Sequence, residues 1–276
     1  MIICRSFGIV MKNFKILLLS LLVFIFNACG TSDISSKIVE KKKLLVPLYS
    51  YPVNSNDSWD KLIELKQKYK SVEIVAIVNQ SNGDFTDIDN NYVNGIEDLN
   101  KSGIIPIGYV YTKYGKRDIE DVKKNIDNWI KFYKPYGLKG FFIDEVSSKK
   151  EDFSYYKEIS DYIKSYGLNF IVLNPGAVVD DVYIKNDIAS VIVTRETTYE
   201  DLLNDDKSYY NKPTDKTKLG LIVYGATGEN IVDNFYNFAK KYKFDYLYLT
   251  EHGVNDDRYE KLSSYLDELL SKIDSN

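Results

Sequence analysis

Short apolar, β-branched runs recur along this chain about every 30 residues, each followed by a segment with helical spacing, which is the repeat of a β-strand plus a returning helix. Eight such runs are present, at residues 44–50, 72–79, 104–111, 140–144, 170–174, 190–195, 219–224 and 246–250. Most are continuously apolar, as strands of a parallel sheet are when both faces are covered. Between them, Val122, Ile126, Trp129, Ile130 and Tyr133 fall on one helical face. Tyr155, Ile159, Tyr162, Ile163 and Tyr166 repeat that spacing, and Tyr259, Leu262, Tyr265, Leu266, Leu269 and Ile273 predict a final helix. Asp118 and Asp257 suit helix N-termini. The segment after the sixth run, residues 197–218, is polar and gives the weakest helical signal.

Eight βα units without material for a second core predict an α/β fold, a single (β/α)8 TIM barrel over residues 42–276, because closure removes the sheet edges. An open doubly wound sheet is the alternative. It calls for a glycine-rich first turn, and Tyr49-Ser50-Tyr51-Pro52 is not one. Gly225-Ala226-Thr227-Gly228 lacks the Lys-Ser/Thr of a phosphate loop and reads as a turn before a helix.

Ahead of the barrel, Lys12 and Lys15 precede an apolar run of about 11 residues, 16–26, too short to span a bilayer and right for a signal-peptide core. The run ends Phe26-Asn27-Ala28-Cys29-Gly30, which resembles a bacterial lipobox with Cys29 as the lipidated residue and Phe26 where leucine is usual. Residues 1–28 are therefore expected to be a signal peptide, with Met11 as the natural start, and 29–41 a flexible polar tether. The expected location is outside the cell, lipid-anchored to a bacterial membrane.

The charge balance excludes several chemistries. The net charge is −4 and the apolar leader carries only basic residues, so the body is acidic and unsuited to nucleic acid. The two cysteines, Cys4 and Cys29, precede the body, and His252 is the one histidine. Paired-histidine zinc sites and thiolate chemistry are thereby excluded, and no metal or organic cofactor is expected.

In a β/α barrel the working residues sit just past the C-terminal ends of the strands. Those positions here carry carboxylates, amides and tyrosines, including Asp144 and Glu145 after the fourth strand and Glu196 after the sixth. Carboxylates directly following apolar strands are costly to bury and are expected to open into the mouth. An acid pair across a cleft is what glycoside hydrolysis needs, one group to protonate the leaving oxygen and one to attack the sugar or activate water. Asp144 and Glu145 are adjacent, so on a regular strand they point to opposite faces, and both reach the site only if the strand ends or bends there. Tyr49, Tyr111, Tyr114 and Tyr224 are candidates to stack on sugar rings, while most of the 24 tyrosines are packing residues.

Taken in order, Leu45-Val46-Pro47-Leu48-Tyr49, Ala76-Ile77-Val78-Asn79, Asn91-Tyr92, the stretch from Ile107 to Thr112 with Tyr114-Gly115 and Arg117, Phe142-Ile143-Asp144-Glu145, and Asn174-Pro175-Gly176 resemble the spherulin 4-like family. The resemblance runs over nearly the whole body and weakens after Glu196. It implies a β/α-barrel glycoside hydrolase, whose characterised fungal relatives cleave galactosamine-containing exopolysaccharide within the chain. It implies Asp144, Glu145 and Glu196 as the acidic centre, and Tyr49, Asn79, Tyr111 and Asn174 as sugar-binding. Family members often carry a histidine at the end of the seventh strand, where this chain has Tyr224. His252 near the eighth strand is a candidate to compensate. The expected activity is that of an endo-acting glycosidase on a galactosamine or N-acetylgalactosamine polymer, working as a monomer. A polysaccharide-binding lipoprotein without catalysis, and a scaffold in a surface complex, are the alternatives.

Overall fold

The computed structural model describes residues 41–53, 57–205, 210–256 and 258–276. The signal segment, Cys29, the tether up to residue 40 and Asp257 lie outside them. Eight parallel strands close into one barrel in sequence order, β1 to β8, with β8 pairing back to β1. The strands are β1 (Lys43–Leu48), β2 (Ile74–Val78), β3 (Ile105–Tyr111), β4 (Gly140–Asp144), β5 (Phe170–Leu173), β6 (Val191–Thr198), β7 (Lys218–Tyr224) and β8 (Tyr246–Leu249). The (β/α)8 expectation is thus met, with all eight strands at the expected places.

Eight α-helices return the chain among the described residues. They are α1 (Asp57–Lys68), α2 (Asn90–Lys101), α3 (Ile119–Tyr133), α4 (Phe153–Ser165), α5 (Asp181–Lys185), α6 (Tyr199–Asn204), α7 (Ile231–Lys241) and α8 (Leu266–Asp274). Asp118 caps α3 by accepting the Glu120 amide at 2.9 Å. In α3 the expected stripe is the buried one, except that Ile130 is half-buried. Trp129 lies against Gly108 of β3, where a Cβ would sit 2.7 Å from the indole, so only glycine admits that packing. The indole N–H donates to the Tyr109 carbonyl at 3.0 Å and ties α3 to the strand behind the site.

Two helix expectations need correction. In α4 the fully buried tyrosine is Tyr156, not Tyr155. Tyr155, Tyr162 and Tyr166 lie along the helix rim, where their hydroxyls find polar partners such as Asp127 and the Arg117 carbonyl. Tyrosine is amphipathic, so a tyrosine stripe marks a helix rim as readily as its core. The last helix begins at Leu266, not near Tyr259. Glu251 accepts from the Ser264 amide and the Ser263 hydroxyl, and this anchor holds the preceding segment in turns across the mouth.

One contiguous apolar core runs through the barrel and beneath its helices, drawn from residues between Leu44 and Ile273. Residues 41–276 therefore carry a complete core of their own.

Candidate active site

The strand ends define the mouth, and three neighbouring spaces of about 150, 260 and 360 Å³, which share lining residues, run across it. The innermost is walled by Asp144, Asn174, Glu196, Tyr49, Tyr259 and Arg258. Tyr114, Glu145 and Gly176 line one flank, and Val254 and Glu260 the other.

Asp144 is the last residue of β4 and shares the inward face with Phe142, two residues earlier. Its Oδ2 accepts from the Tyr109 hydroxyl at 2.7 Å, and its Oδ1 accepts from Asn174 Nδ2 at 2.8 Å. Glu145 then turns the chain with φ 51°, in the left-handed region that side chains rarely occupy. Its carbonyl is pinned by the Tyr114 amide at 2.6 Å and the Thr112 hydroxyl at 2.8 Å. The strand thus stops and bends where the two acids meet, and Glu145 lines the same cleft as Asp144. The turn that pins this carbonyl also carries Tyr114 outward, where it is exposed beside Glu145.

Glu196 arrives on β6 by another route. By register, Val193 lies beside Gly220 and Glu196 beside Ile222. Gly220 and Ile222 share one strand face, and Ile222 lines the cavity. Val193 and Glu196 therefore share the inward face although two residues lie between them. The bulge between Val193 and Arg195 absorbs the extra residue and switches the phase of the strand. Without it, Arg195 would face the cleft.

Asn174 follows β5 and lies between the two acids. Its Nδ2 donates to Asp144 Oδ1 at 2.8 Å and to Glu196 Oε2 at 2.7 Å. Its Oδ1 accepts from the Gly176 amide at 3.1 Å, which fixes the orientation of the side-chain amide. Gly176 has φ 62°, and its carbonyl accepts from the Glu196 amide at 3.0 Å. The Asn174-Pro175-Gly176 turn thus positions both the bridge and the second acid. Glu196 Oε1 accepts from the Tyr259 hydroxyl at 2.6 Å.

Burial and the neighbouring Glu196 charge push the Asp144 carboxyl up to about 6, against the pull of its bonds from Tyr109, the Glu145 amide and Asn174. Burial, then the Asp144 charge, raises the Tyr109 phenol; burial, then the Glu196 charge, raises that of Tyr259. Both remain neutral hydroxyl donors at any working pH. Tyr49 packs edge-to-face against both rings, with centroids at 5.7 Å from Tyr109 and 5.3 Å from Tyr259.

The structure therefore brings Asp144, Glu145, Glu196, Tyr49, Tyr114 and Asn174 to one cleft. Tyr224 reaches it indirectly, stacked under Arg258 at 4.3 Å. The remaining candidates are engaged elsewhere. Asn79 closes a turn by accepting the Asn82 amide at 2.8 Å. The Tyr111 ring is covered by Arg117 at 4.3 Å. The His252 side chain stands 3.7 Å from Glu251 rather than in the acid cluster. Sequence reasoning does not single out Tyr109, Tyr259 or Arg258. Tyr109 carries a signal, being inward-facing two residues before a strand end. Tyr259 and Arg258 lie in an irregular loop and carry none. Among the described residues, no group of three His, Cys, Asp or Glu side chains could hold a metal ion, and no helix is long and apolar enough to cross a membrane.

Known proteins share this architecture. Over 243 residues the chain is 31% identical to Spherulin-4 of Physarum polycephalum, covering 85% of this chain and 70% of that protein. Among solved structures, Sph3 of Aspergillus clavatus, crystallised with GalNAc, aligns with a TM-score of 0.71 at 24% identity, covering 86% of this chain and 98% of that one. A GH113 β-1,4-mannanase aligns with a TM-score of 0.51 at 12% identity, over 86% of this chain and 99% of that one. These two likenesses establish the barrel. The model of spherulation-specific family 4 matches residues 43–273, nearly the whole barrel, and the chain belongs to that family.

Proposed function

We propose that this protein is a glycoside hydrolase that cleaves an amino-sugar polysaccharide by a retaining, double-displacement mechanism. The observation that carries the proposal is the Asn174 bridge. One nitrogen bonds to an oxygen of each acid at 2.8 and 2.7 Å. Those two oxygens therefore lie no farther apart than about 5.5 Å, within the spacing of retaining pairs and short of the roughly 6.5–9.5 Å that inverting enzymes keep for a water.

In this reading Asp144 is the nucleophile. Three hydrogen-bond donors aim its carboxylate, and burial strips it of water, which raises its reactivity toward an anomeric carbon. Glu196 donates a proton to the leaving oxygen and then takes one from the incoming water. Glu145 lies on the cleft flank and orients substrate or tunes Asp144. Tyr114 and Tyr49 offer ring faces to sugars.

The cleft runs across the mouth and is open at both flanks, which suits attack within a chain. The GalNAc bound to Sph3 supports an N-acetylgalactosamine-containing polymer as the substrate class. The apolar run at residues 16–26 and Cys29 support an exported protein held to a membrane by lipid. The closed sheet leaves no strand edge for pairing, in keeping with a monomer.

The test is reducing-end release by residues 41–276 from partly deacetylated galactosamine polymers, with Asp144→Asn as control. NMR of the first-formed anomer reads the stereochemistry. Release with retained configuration, lost in the variant, is expected. No release, with binding that survives Asp144→Asn, would instead indicate a polysaccharide-binding lipoprotein.

A further inference from the structure

We propose that the end of the barrel where the strands begin is a docking face for an anionic membrane surface. The orientation this gives the molecule rests on the lipid-anchored reading above; the charge of the face does not.

In a parallel barrel all strands start at one end, opposite the mouth. Here the segments entering the strands are rich in lysine. Lys70 precedes β2, Lys139 precedes β4, Lys212 precedes β7, and Lys241 and Lys243 precede β8. All five are exposed, and none pairs with a carboxylate among the described residues. Lysine is common in the last turn of a helix, where it offsets the helix dipole. That accounts for Lys241 but not for Lys70, Lys139, Lys212 or Lys243, which lie outside helices.

Most acids of this end are already neutralised. Asp274 pairs with Lys41, Asp245 with Lys42, Glu73 with Lys43, Asp187 with Lys216, and Asp267 with Lys68. Glu97 and Asp98 share Lys101, and Asp215 is exposed. The five lysines therefore leave an excess of positive charge. The loops leaving the strands carry Lys113, Lys116, Lys149 and Lys150 but more acid than base, with Asp84, Asp87, Asp89, Asp118, Glu120, Glu151, Asp152 and Asp180. A chain of net acidic charge thus presents one basic end, and a negative surface would turn the mouth away from itself.

Two further observations favour lipid as the occupant. A groove of about 660 Å³ at this end is bordered by Lys212, Lys241 and Lys243, with Lys185 alongside in its pair with Asp181. Tyr210 and Tyr242 line it between these cations, and a basic pocket of this kind suits a phosphate headgroup. The chain also enters the barrel at this end, through Lys41, Lys42 and Lys43. Residues 30–41, fully extended, reach about 40 Å from Cys29. A lipid on Cys29 would then tether the barrel through this end.

The test uses residues 41–276, which contain the whole core and lack Cys29. Co-sedimentation is measured with vesicles of pure phosphatidylcholine and with vesicles containing about one-third phosphatidylglycerol. The expected result is at least about tenfold stronger partitioning onto the anionic vesicles at low salt, weakened at high salt. Lys139→Glu, Lys212→Glu, Lys241→Glu and Lys243→Glu combined should remove that preference, and the matching Lys→Gln set should reduce it. Both variants should keep full glycan cleavage and the native circular dichroism. Equal partitioning onto the two vesicles, or a preference unchanged in the folded variants, would overturn the proposal. Either failure leaves the lipidation of Cys29 and the glycosidase reading standing, because neither is measured here.

Discussion

Strands β4 and β6 each deliver one acid to the cleft, by opposite means. β4 is regular to its last residue, so Asp144 follows Phe142 inward and the bend falls after it, at Glu145. β6 carries its irregularity inside, and Glu196 faces inward only because the bulge shifts the strand by one residue. The β4 acid is half-buried and held by three donors, while the β6 acid hangs between Asn174 and a loop tyrosine. The difference teaches that the two carboxylates are built for different tasks. One is fixed and desolvated, as a nucleophile should be. The other is held by two side-chain donors, Asn174 and Tyr259, one of them on a loop, which suits an acid that must meet a leaving oxygen and then a water.

The sharpest way to break this division is to neutralise each acid in turn. Asp144→Asn and Glu196→Gln are each expected to lower kcat by at least about 10³-fold, and Glu145→Gln by about tenfold. Steady-state reducing-end release measures all three. If Glu145→Gln were as damaging as Asp144→Asn, the two neighbours would have to exchange roles.

The bridge comes next in size. Asn174→Ala removes a donor from both acids at once and leaves them facing each other. The expected loss is about 10² in kcat, with KM nearly unchanged, because the amide is engaged by the two acids and the Gly176 amide. Asn174→Asp should be worse than alanine, since it adds a third negative charge between the two. Equal activity of the two variants would show that the bridge does not set the electrostatics of the pair.

How much of this is legible in the sequence follows the same regular-versus-irregular division. The eight strands repeat a local pattern, and β4 with its Asp144 stands out because a strand end follows an unbroken apolar run. Even the bend at Glu145 is foreseeable, as the condition under which two adjacent acids share a cleft. Glu196 reads as a residue past the end of β6, yet the strand continues to Thr198 and the bulge does the aiming. Nothing in Val193-Thr194-Arg195 announces a bulge, because pairing with β7 decides it. Asn79 and Tyr111 have the right position and the wrong partners, being satisfied by Asn82 and Arg117. Tyr259 falls into a helical stripe by spacing, but the helix begins only after the Glu251 anchor on Ser263 and Ser264.

Burial of Asp144 also has a stability cost that separates the two strands. Its carboxyl sits at about 6 in the folded state against an ordinary 3.8. The folded protein therefore holds a proton that the unfolded chain has lost between about pH 4 and 6. Stability falls as pH rises through that window, and the deficit persists above it. Asp144→Asn is expected to be more stable than the wild type at pH 7 by about 3 kcal/mol, with the gap closing below about pH 4. Urea unfolding at the two pH values measures it. The activity of the wild type should correspondingly fall on the acid side, because the nucleophile must be ionised.

The smallest expected effect tests the loop side of the comparison. Tyr259→Phe keeps the ring that packs on Tyr49 at 5.3 Å and removes only the hydroxyl that donates to Glu196 at 2.6 Å. A hydrogen bond to a charged acceptor contributes about 1.5–3 kcal/mol. Part of that is recovered when water fills the open cleft, so a loss of about tenfold in kcat is expected. Stability should hardly move, since the packing survives. The pH profile carries the decisive reading. If Tyr259 serves Glu196 alone, the loss should lie in kcat across the whole profile. The acid limb, set by Asp144 on β4, should stay in place. A shift of the acid limb instead would mean that the loop tyrosine acts on the nucleophile through Asn174, and that the two strand ends work as one coupled unit.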